Sequence, residues 1–254
     1  MGRRPGASRP ILGRMMRRRL VMSATVATVV GVAGSLTVAP ATAAPSVGPD
    51  VSSYQHPNVS LINWFAVRAA GQQIAMVKAT ESLNYVNPYF VPDSLTMRAA
   101  GLIRGTYHYA DPSQSAAAQA LFYAGVVLGQ NGMLDLPPVL DLENSGGLNP
   151  TDLAAWVREF FATLESLTGR KTILYTYPKF WDTAMGSTTE FADHPLWIAS
   201  YNGQAAPEMP HGGWSTWTFW QYTDSGQLPG IPTPVDLNRF NGTPSQLQTM
   251  GNAA

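Results

Sequence analysis

Eight short runs of apolar, β-branched and aromatic residues recur along the chain, and segments of helical character separate the first six of them. Few folds accept that order. The runs lie at 47–52, 74–80, 102–109, 138–142, 172–175, 196–201, 216–222 and 235–240. Helical segments fall at 64–70, 94–100, 115–128, 152–167 and 178–185. The fourth is the clearest. Leu153, Trp156, Val157, Phe160, Phe161, Leu164 and Leu167 form one stripe at helical spacing, Thr151 or Asp152 can cap its start, and Gly169 can end it. The last two connections carry Gly, Pro, Ser and Thr without helical period. Strands alternating with helices predict a largely parallel sheet. The expected architecture is an α/β, TIM-like βα barrel of eight strands with about five helices. An open doubly wound sheet is the runner-up, but it usually carries a glycine-rich phosphate loop after its first strand. The run Asp50-Val51-Ser52-Ser53-Tyr54-Gln55 has none.

The charge of the 254-residue chain sums to zero only because two unlike parts cancel. Residues 1–43 hold seven arginines and no acid; the remainder holds 9 Lys+Arg against 16 Asp+Glu. The first part has the order of an export leader: arginines up to Arg19, an uncharged apolar stretch from Leu20 to Val38, then small residues from Ala39 to Ala43. The expectation is a secretory signal peptide over 1–43, with the mature chain starting near Thr42 or Ala44. Residues 44–254 are then a single catalytic barrel domain, long enough for one sizeable core. An acidic surface argues against nucleic acid. The absence of cysteine excludes disulfides and thiolate chemistry. The four histidines show no metal-ligand spacing, so neither metal nor cofactor is expected. His108 either holds a carboxylate or satisfies a core hydrogen bond; His56, His194 and His211 stand beside prolines and read as loop residues.

Polar residues gather near the strand ends, where a βα barrel binds its ligands. In order these are Asp50 and Gln55; Lys78, Thr80 and Glu81; Tyr107, His108 and Tyr109; Asp141 and Glu143; Tyr175 and Tyr177; Trp197 and Tyr201; Trp220, Gln221 and Tyr222; Asp236, Asn238 and Arg239. Rings beside carboxylates and amides suit the apolar faces and hydroxyls of a sugar. Pro138-Val139-Leu140-Asp141-Leu142-Glu143 is the sharpest piece. Side chains alternate along a strand, so Asp141 and Glu143 share one face, roughly 7 Å apart at Cα. In a cleft each raises the cost of ionising the other, and one can stay protonated as a general acid. Asp50 and Asp236 sit inside the first and last strands, which are neighbours in a closed barrel and can flank one site. Salt bridges to Arg239 or Lys78 are the alternative.

Eight pieces in order resemble a family 25 glycoside hydrolase, the Chalaropsis-type lysozymes or N-acetylmuramidases. They are Asp50-Val51-Ser52-Ser53-Tyr54-Gln55, Ile62-Asn63-Trp64, Val77-Lys78-Ala79-Thr80-Glu81, Gly105-Thr106-Tyr107-His108-Tyr109, Leu140-Asp141-Leu142-Glu143, Leu196-Trp197-Ile198-Ala199-Ser200-Tyr201, Trp220-Gln221-Tyr222 and Asp236-Leu237-Asn238-Arg239-Phe240. The resemblance implies a flattened barrel and hydrolysis of the β-1,4 bond between N-acetylmuramic acid and N-acetylglucosamine in bacterial peptidoglycan. It puts the catalytic acid on Glu143, its partner on Asp141, and two further cleft acids on Asp50 and Asp236. His56-Pro57 stands where the family usually has glycine, 58–61 looks like a small insertion, and Asn63 replaces an aspartate. These departures bear on loop shape.

Two carboxylates on one side of one strand do not readily flank opposite faces of a sugar. That favours a retaining route in which the substrate's own acetamido group attacks, oriented by Asp141, with Glu143 as acid and base. Sugar contacts are expected from Tyr107, Tyr109, Trp197, Tyr201, Gln221 and Tyr222. The expected protein is a secreted, extracellular monomer acting on glycan strands, with no membrane role once the leader is removed. A chitinase-like hydrolase and a non-catalytic wall-sugar-binding barrel are the alternatives.

Overall fold

The computed structural model describes residues 46–129 and 135–252. The expected leader and its cleavage site lie outside these residues. Eight strands close a barrel: β1 (Val47–Val51), β2 (Ile74–Glu81), β4 (Ile103–Tyr109), β5 (Val139–Asp141), β6 (Ile173–Thr176), β7 (Leu196–Ala199), β8 (Phe219–Gly226) and β9 (Val235–Phe240). β1 pairs with both β2 and β9, which completes the ring. A two-residue strand, β3 (Tyr85–Val86), folds back on β2 outside it.

Pairing is parallel from β1 through β2 and β4 to β8. β9 is antiparallel to both neighbours. The connection from β8 to β9 covers only residues 227–234. A parallel return needs a crossover of a dozen or more residues, so this short link forces a reversal. The start of β9 therefore lies at the same rim as the ends of the parallel strands.

Helices α1 (Trp64–Ala69), α2 (Phe90–Ala99), α3 (Ala116–Leu128), α4 (Pro150–Thr168) and α5 (Pro178–Ala184) occupy the early connections, as expected. α2 starts four residues before the expected helix, and a sixth helix, α6 (Pro244–Asn252), was not anticipated. α4 buries Leu153, Trp156, Val157, Phe160, Phe161 and Leu164, whereas Leu167 at its last turn is exposed. Its cap is Asn149, whose side chain accepts from the Asp152 N–H, because Pro150 takes the first helical position. Gly169 ends it in the left-handed conformation.

Two apolar layers result. One lies between the helices and the outer sheet face. The other fills the barrel with Ile74, Met76, Ile103, Val139, Ile173 and Phe219, and α6 adds Leu247 from below. Gly105 faces this interior: a Cβ there would meet the Met76 sulfur at 1.9 Å, so a larger residue would displace the Met76 side chain. At the lower end Arg104, 1% exposed, and Arg98 both bond Asp135. After β7 no helix among the described residues covers the outer face of the sheet. Residues 200–218 run across it instead, with Met209, Trp214 and Trp217 packed over Leu196, Ile198 and Trp220.

Candidate active site

One cleft at the upper rim is lined by Asp50, Asp141, Glu143 and Asp236, with Lys78, Tyr107, Tyr109, Tyr175, Trp197 and Gln221 around them and Ser52 and Tyr54 at one side. The four acids expected from the sequence therefore converge, although they come from three separate strands and the loop after β5.

Asp50 and Asp236 are direct partners in the β1–β9 ladder. Asp50 is 6% exposed, and its Oδ2 accepts from Gln221 Nε2 and Asn238 Nδ2, each at 2.8 Å. Burial raises its pKa, and the two amide donors oppose that shift. Asp236 is pushed up to about 8, first by burial and then by the neighbouring Asp50 charge. The pair thus holds a proton at neutral pH. Asp236 is its carrier, since Asp50 already accepts two N–H groups. The salt bridges considered for these acids do not form: Arg239 lies over the rings of Tyr222 and Trp220, and Lys78 bonds Glu81 at 2.8 Å.

Gln221 holds this corner in one orientation. Tyr175 donates to its Oε1 at 2.8 Å, and Tyr201 donates to the same oxygen, so the amide nitrogen must face Asp50. Asn238 is fixed likewise: Trp197 Nε1 donates to its Oδ1 at 2.8 Å, which turns Nδ2 to Asp50.

Asp141 ends β5, and Glu143 follows in the loop. Their side chains stand close enough for each to shift the other's ionisation. Burial drives the Asp141 pKa well above the carboxylate range, and the Glu143 charge adds to it; Lys78 pulls the other way. Burial also raises Glu143, less completely, because its contact with Asp141 and the Lys78 charge oppose the shift. Two acids this close share a proton as a unit. Asp141 Oδ1 is buried without a hydrogen-bond partner. An unpaired buried oxygen is costly, and it is a ready acceptor for a ligand N–H.

The aromatic residues divide. Tyr109 flanks Glu143, its hydroxyl pushed up to about 12 by burial and then by the Glu143 charge. Tyr107 and Trp197 are 7% and 2% exposed, so they form the floor rather than an open rim. Tyr201, half exposed, reaches the cleft through Gln221. Tyr222 is not in the cleft. Adjacent strand residues point to opposite faces, so Gln221 faces inward and Tyr222 outward, against Trp220 and Arg239.

The sequence reading put Lys78 and Tyr175 at the strand ends without assigning them a contact with substrate, and it gave Ser52 and Tyr54 no site role. Period two from Met76, which faces the barrel interior, carries Lys78 to the same face. His108 lies outside the cleft. Its nitrogens meet Thr80 Oγ1 at 2.8 Å and Gln119 Oε1 at 2.9 Å, and burial lowers its pKa to about 4. It satisfies a core network. His56, expected in an open loop, is buried, stacked on Tyr89 at 3.7 Å and bonded to Asp93 at 2.9 Å. Among the described residues no cluster of His, Asp or Glu has a metal-binding arrangement.

Residues 49–231 match the model of glycosyl hydrolases family 25. Lysozyme M1 of Streptomyces globisporus is 38% identical over 225 residues, which cover 85% of this chain and 74% of that one. The N,O-diacetylmuramidase of Chalaropsis sp is 35% identical over 190 residues, 70% of this chain and 88% of that one. Among solved structures, the bacterial lysozyme from Streptomyces coelicolor superposes with a TM-score of 0.76 at 36% identity, covering 84% of this chain and 99% of that chain. On this fold and these matches the chain is a glycoside hydrolase and belongs to glycosyl hydrolases family 25.

Proposed function

We propose that this enzyme is a secreted lysozyme that cleaves the β-1,4 bond from N-acetylmuramic acid to N-acetylglucosamine in peptidoglycan, with retention, using Glu143 as general acid and base. The observation that carries the roles is the Asp141–Glu143 contact at the end of β5, in the same cleft as the Asp50–Asp236 pair. The substrate class is that of the lysozyme and muramidase relatives.

Before substrate binds, burial favours the shared proton on Asp141, the deeper acid. An acetamido N–H donated to Asp141 Oδ1 would reward the ionised form of Asp141 and transfer the proton to Glu143. Glu143, less enclosed, then gives it to the leaving oxygen. The acetamido oxygen, oriented by Asp141, closes on the anomeric carbon as that bond breaks. Water opens the cyclised sugar from the opposite side, and Glu143 takes back a proton. Both displacements invert, so configuration is retained. Asp236, protonated, and Asp50, fixed by two amides, form a polar wall rather than an attacking group.

Mass spectrometry of digested peptidoglycan decides the bond specificity. Muramic acid at the new reducing end is expected. Glucosamine there, or faster cleavage of chitin, overturns the reading. The route is tested with a thiazoline mimic of the cyclised sugar, expected to inhibit competitively. A fluorinated sugar trapped as an adduct on a carboxylate, with no thiazoline inhibition, would instead establish a covalent intermediate. Export is tested by N-terminal sequencing of protein from culture medium, with a start near Thr42 or Ala44 expected.

A further inference from the structure

The outer face of β8 and β9 is unlike the rest of the barrel wall. Among the described residues no helix covers it, and the tryptophan-rich segment 200–218 leaves a pocket of about 300 Å³ lined by Trp217, Trp220, Arg239 and Asn241, with Ala205, Phe240 and Gly242 at its edges. That volume is at the low end of small-ligand sites, roughly 300–1,000 Å³. The catalytic cleft is on the other side of the same strands, because Gln221 and Asn238 point inward where Trp220 and Arg239 point outward.

Arg239 is the unusual member. Of the cations in the described residues, Lys78, Arg98, Arg104, Arg158 and Lys171 pair with carboxylates. Arg68 and Arg170 donate to backbone carbonyls. Arg239 and the exposed Lys179 on α5 make neither contact among the described residues, and of these two only Arg239 is held against rings. Its guanidinium lies 4.4 Å from the Tyr222 ring centre and 5.3 Å from that of Trp220. Stacking of this kind occupies the face of the guanidinium and leaves its edge donors free for a planar anion. The barrel part of the chain has 16 acids against 9 bases, so a cation held on aromatic rings at a pocket wall rather than on a carboxylate stands out. The pocket wall is also fixed: Asn241 Nδ2 donates to Thr216 Oγ1 at 2.8 Å and to the Trp217 carbonyl at 3.0 Å.

We propose that this pocket is a second wall-binding site, in which Arg239 takes a stem-peptide carboxylate of a muropeptide and Trp217 packs against the adjoining sugar. The proposal rests on the lysozyme reading for its ligand. A glycan chain or a neighbouring strand of the wall can engage this face while another segment occupies the cleft. Two weak sites on one insoluble polymer act together through effective concentration. The site would thus hold the enzyme on its substrate although both carry negative charge.

The test compares Arg239→Gln and Trp217→Ala with the parent enzyme on two substrates, insoluble sacculi and a short soluble glycan without peptide. Sedimentation with sacculi measures binding separately from turnover. On sacculi each variant should need roughly three to ten times more wall for half-maximal rate and bind correspondingly less. On the soluble glycan, kcat and KM should be unchanged, which also shows that the fold is intact. Sacculi whose carboxylates have been amidated should bind the parent as weakly as untreated sacculi bind Arg239→Gln. Removal of wall phosphate should leave parent binding unchanged. Unaltered binding in both variants overturns the site, as does equal loss on both substrates. Loss of binding with phosphate removal overturns the carboxylate assignment. A parent that binds sacculi through Arg239 but cleaves neither substrate would defeat the lysozyme reading and leave the site standing.

Discussion

Asp50 and Asp236 face each other across the β1–β9 ladder, two acids in direct register inside one barrel wall. Only the reversal of β9 brings them together at the upper rim. Amide donors from Gln221 and Asn238 stabilise one charge there, and burial beside that charge holds Asp236 at about 8.

The pH dependence of stability follows from this pair. Folding raises the Asp236 pKa from its ordinary carboxylate value to about 8, so between those limits the native state binds the extra proton. Stability is then greatest below the lower limit and falls as pH rises toward about 8. Asp236→Asn should lessen that decline, leaving the part that comes from the other raised acids of the cleft, Asp50, Asp141 and Glu143. Thermal unfolding at pH 8 should show a higher Tm than the parent, by roughly 2–4 °C per kcal/mol relieved, while at pH 4 the two should nearly coincide. A parallel decline in both proteins would contradict the assignment.

Glu143→Gln should lower kcat by about 10²–10⁴-fold with the fold retained, since the amide keeps the shape but cannot deliver the proton. Steady-state kinetics on soluble wall fragments would measure it; activity near that of the parent would remove Glu143 from its role.

Asp141→Asn should reduce kcat and move the alkaline limb of the kcat profile, which reports the substrate complex in which Asp141 is ionised, to lower pH. It deletes the charge that favours the proton on Glu143. It should also weaken the thiazoline mimic, which the Glu143→Gln change should affect less. An unshifted limb would argue against a shared proton.

Gln221→Leu should cost stability as well as activity. It strands one acceptor site on Asp50 and the hydroxyls of Tyr175 and Tyr201. Each buried orphan costs about 1–3 kcal/mol. Denaturant unfolding checks this, and Gln221→Glu should stay nearer the parent while the new acid is protonated and lose stability above its ionisation, where two carboxylates face each other.

Far from the cleft, Asp135→Ala should destabilise the protein by about 3–5 kcal/mol, because it leaves the buried Arg104 without its carboxylate. KM for soluble glycan should not change at temperatures where the variant stays folded.

Much of this architecture was legible in the chain. The Asp141–Glu143 pair could be read because a buried strand before it fixes the alternation, and Asp50 and Asp236 because acids inside apolar strands need a common destination. The same alternation separates Gln221 from Tyr222, so the outward position of Tyr222 was available as a signal, although the aromatic type suggested otherwise. The exposed Leu167 reflects a stripe carried one turn past the packing surface. Other features had no local signature. The register shift between Lys78 and Thr80 depends on the pairing of β2 with β4. The clamp of His56 between Tyr89 and Asp93 joins residues far apart in sequence, and proline beside the histidine suggested only an open loop.

The reversal of β9 also decides where the chain leaves the barrel. β9 begins at the cleft and ends at the opposite pole, where α6 sets Leu247 and Met250 against the interior core and Arg170 Nη2 donates to the Met250 carbonyl. A linker, affinity tag or solid support joined after α6 would therefore emerge on the side away from the catalytic mouth. In an all-parallel barrel the last strand would end at the substrate's doorway and a helix would have to carry the chain back; here the strand itself makes that return, and the enzyme can be tethered from behind with the mouth facing outward.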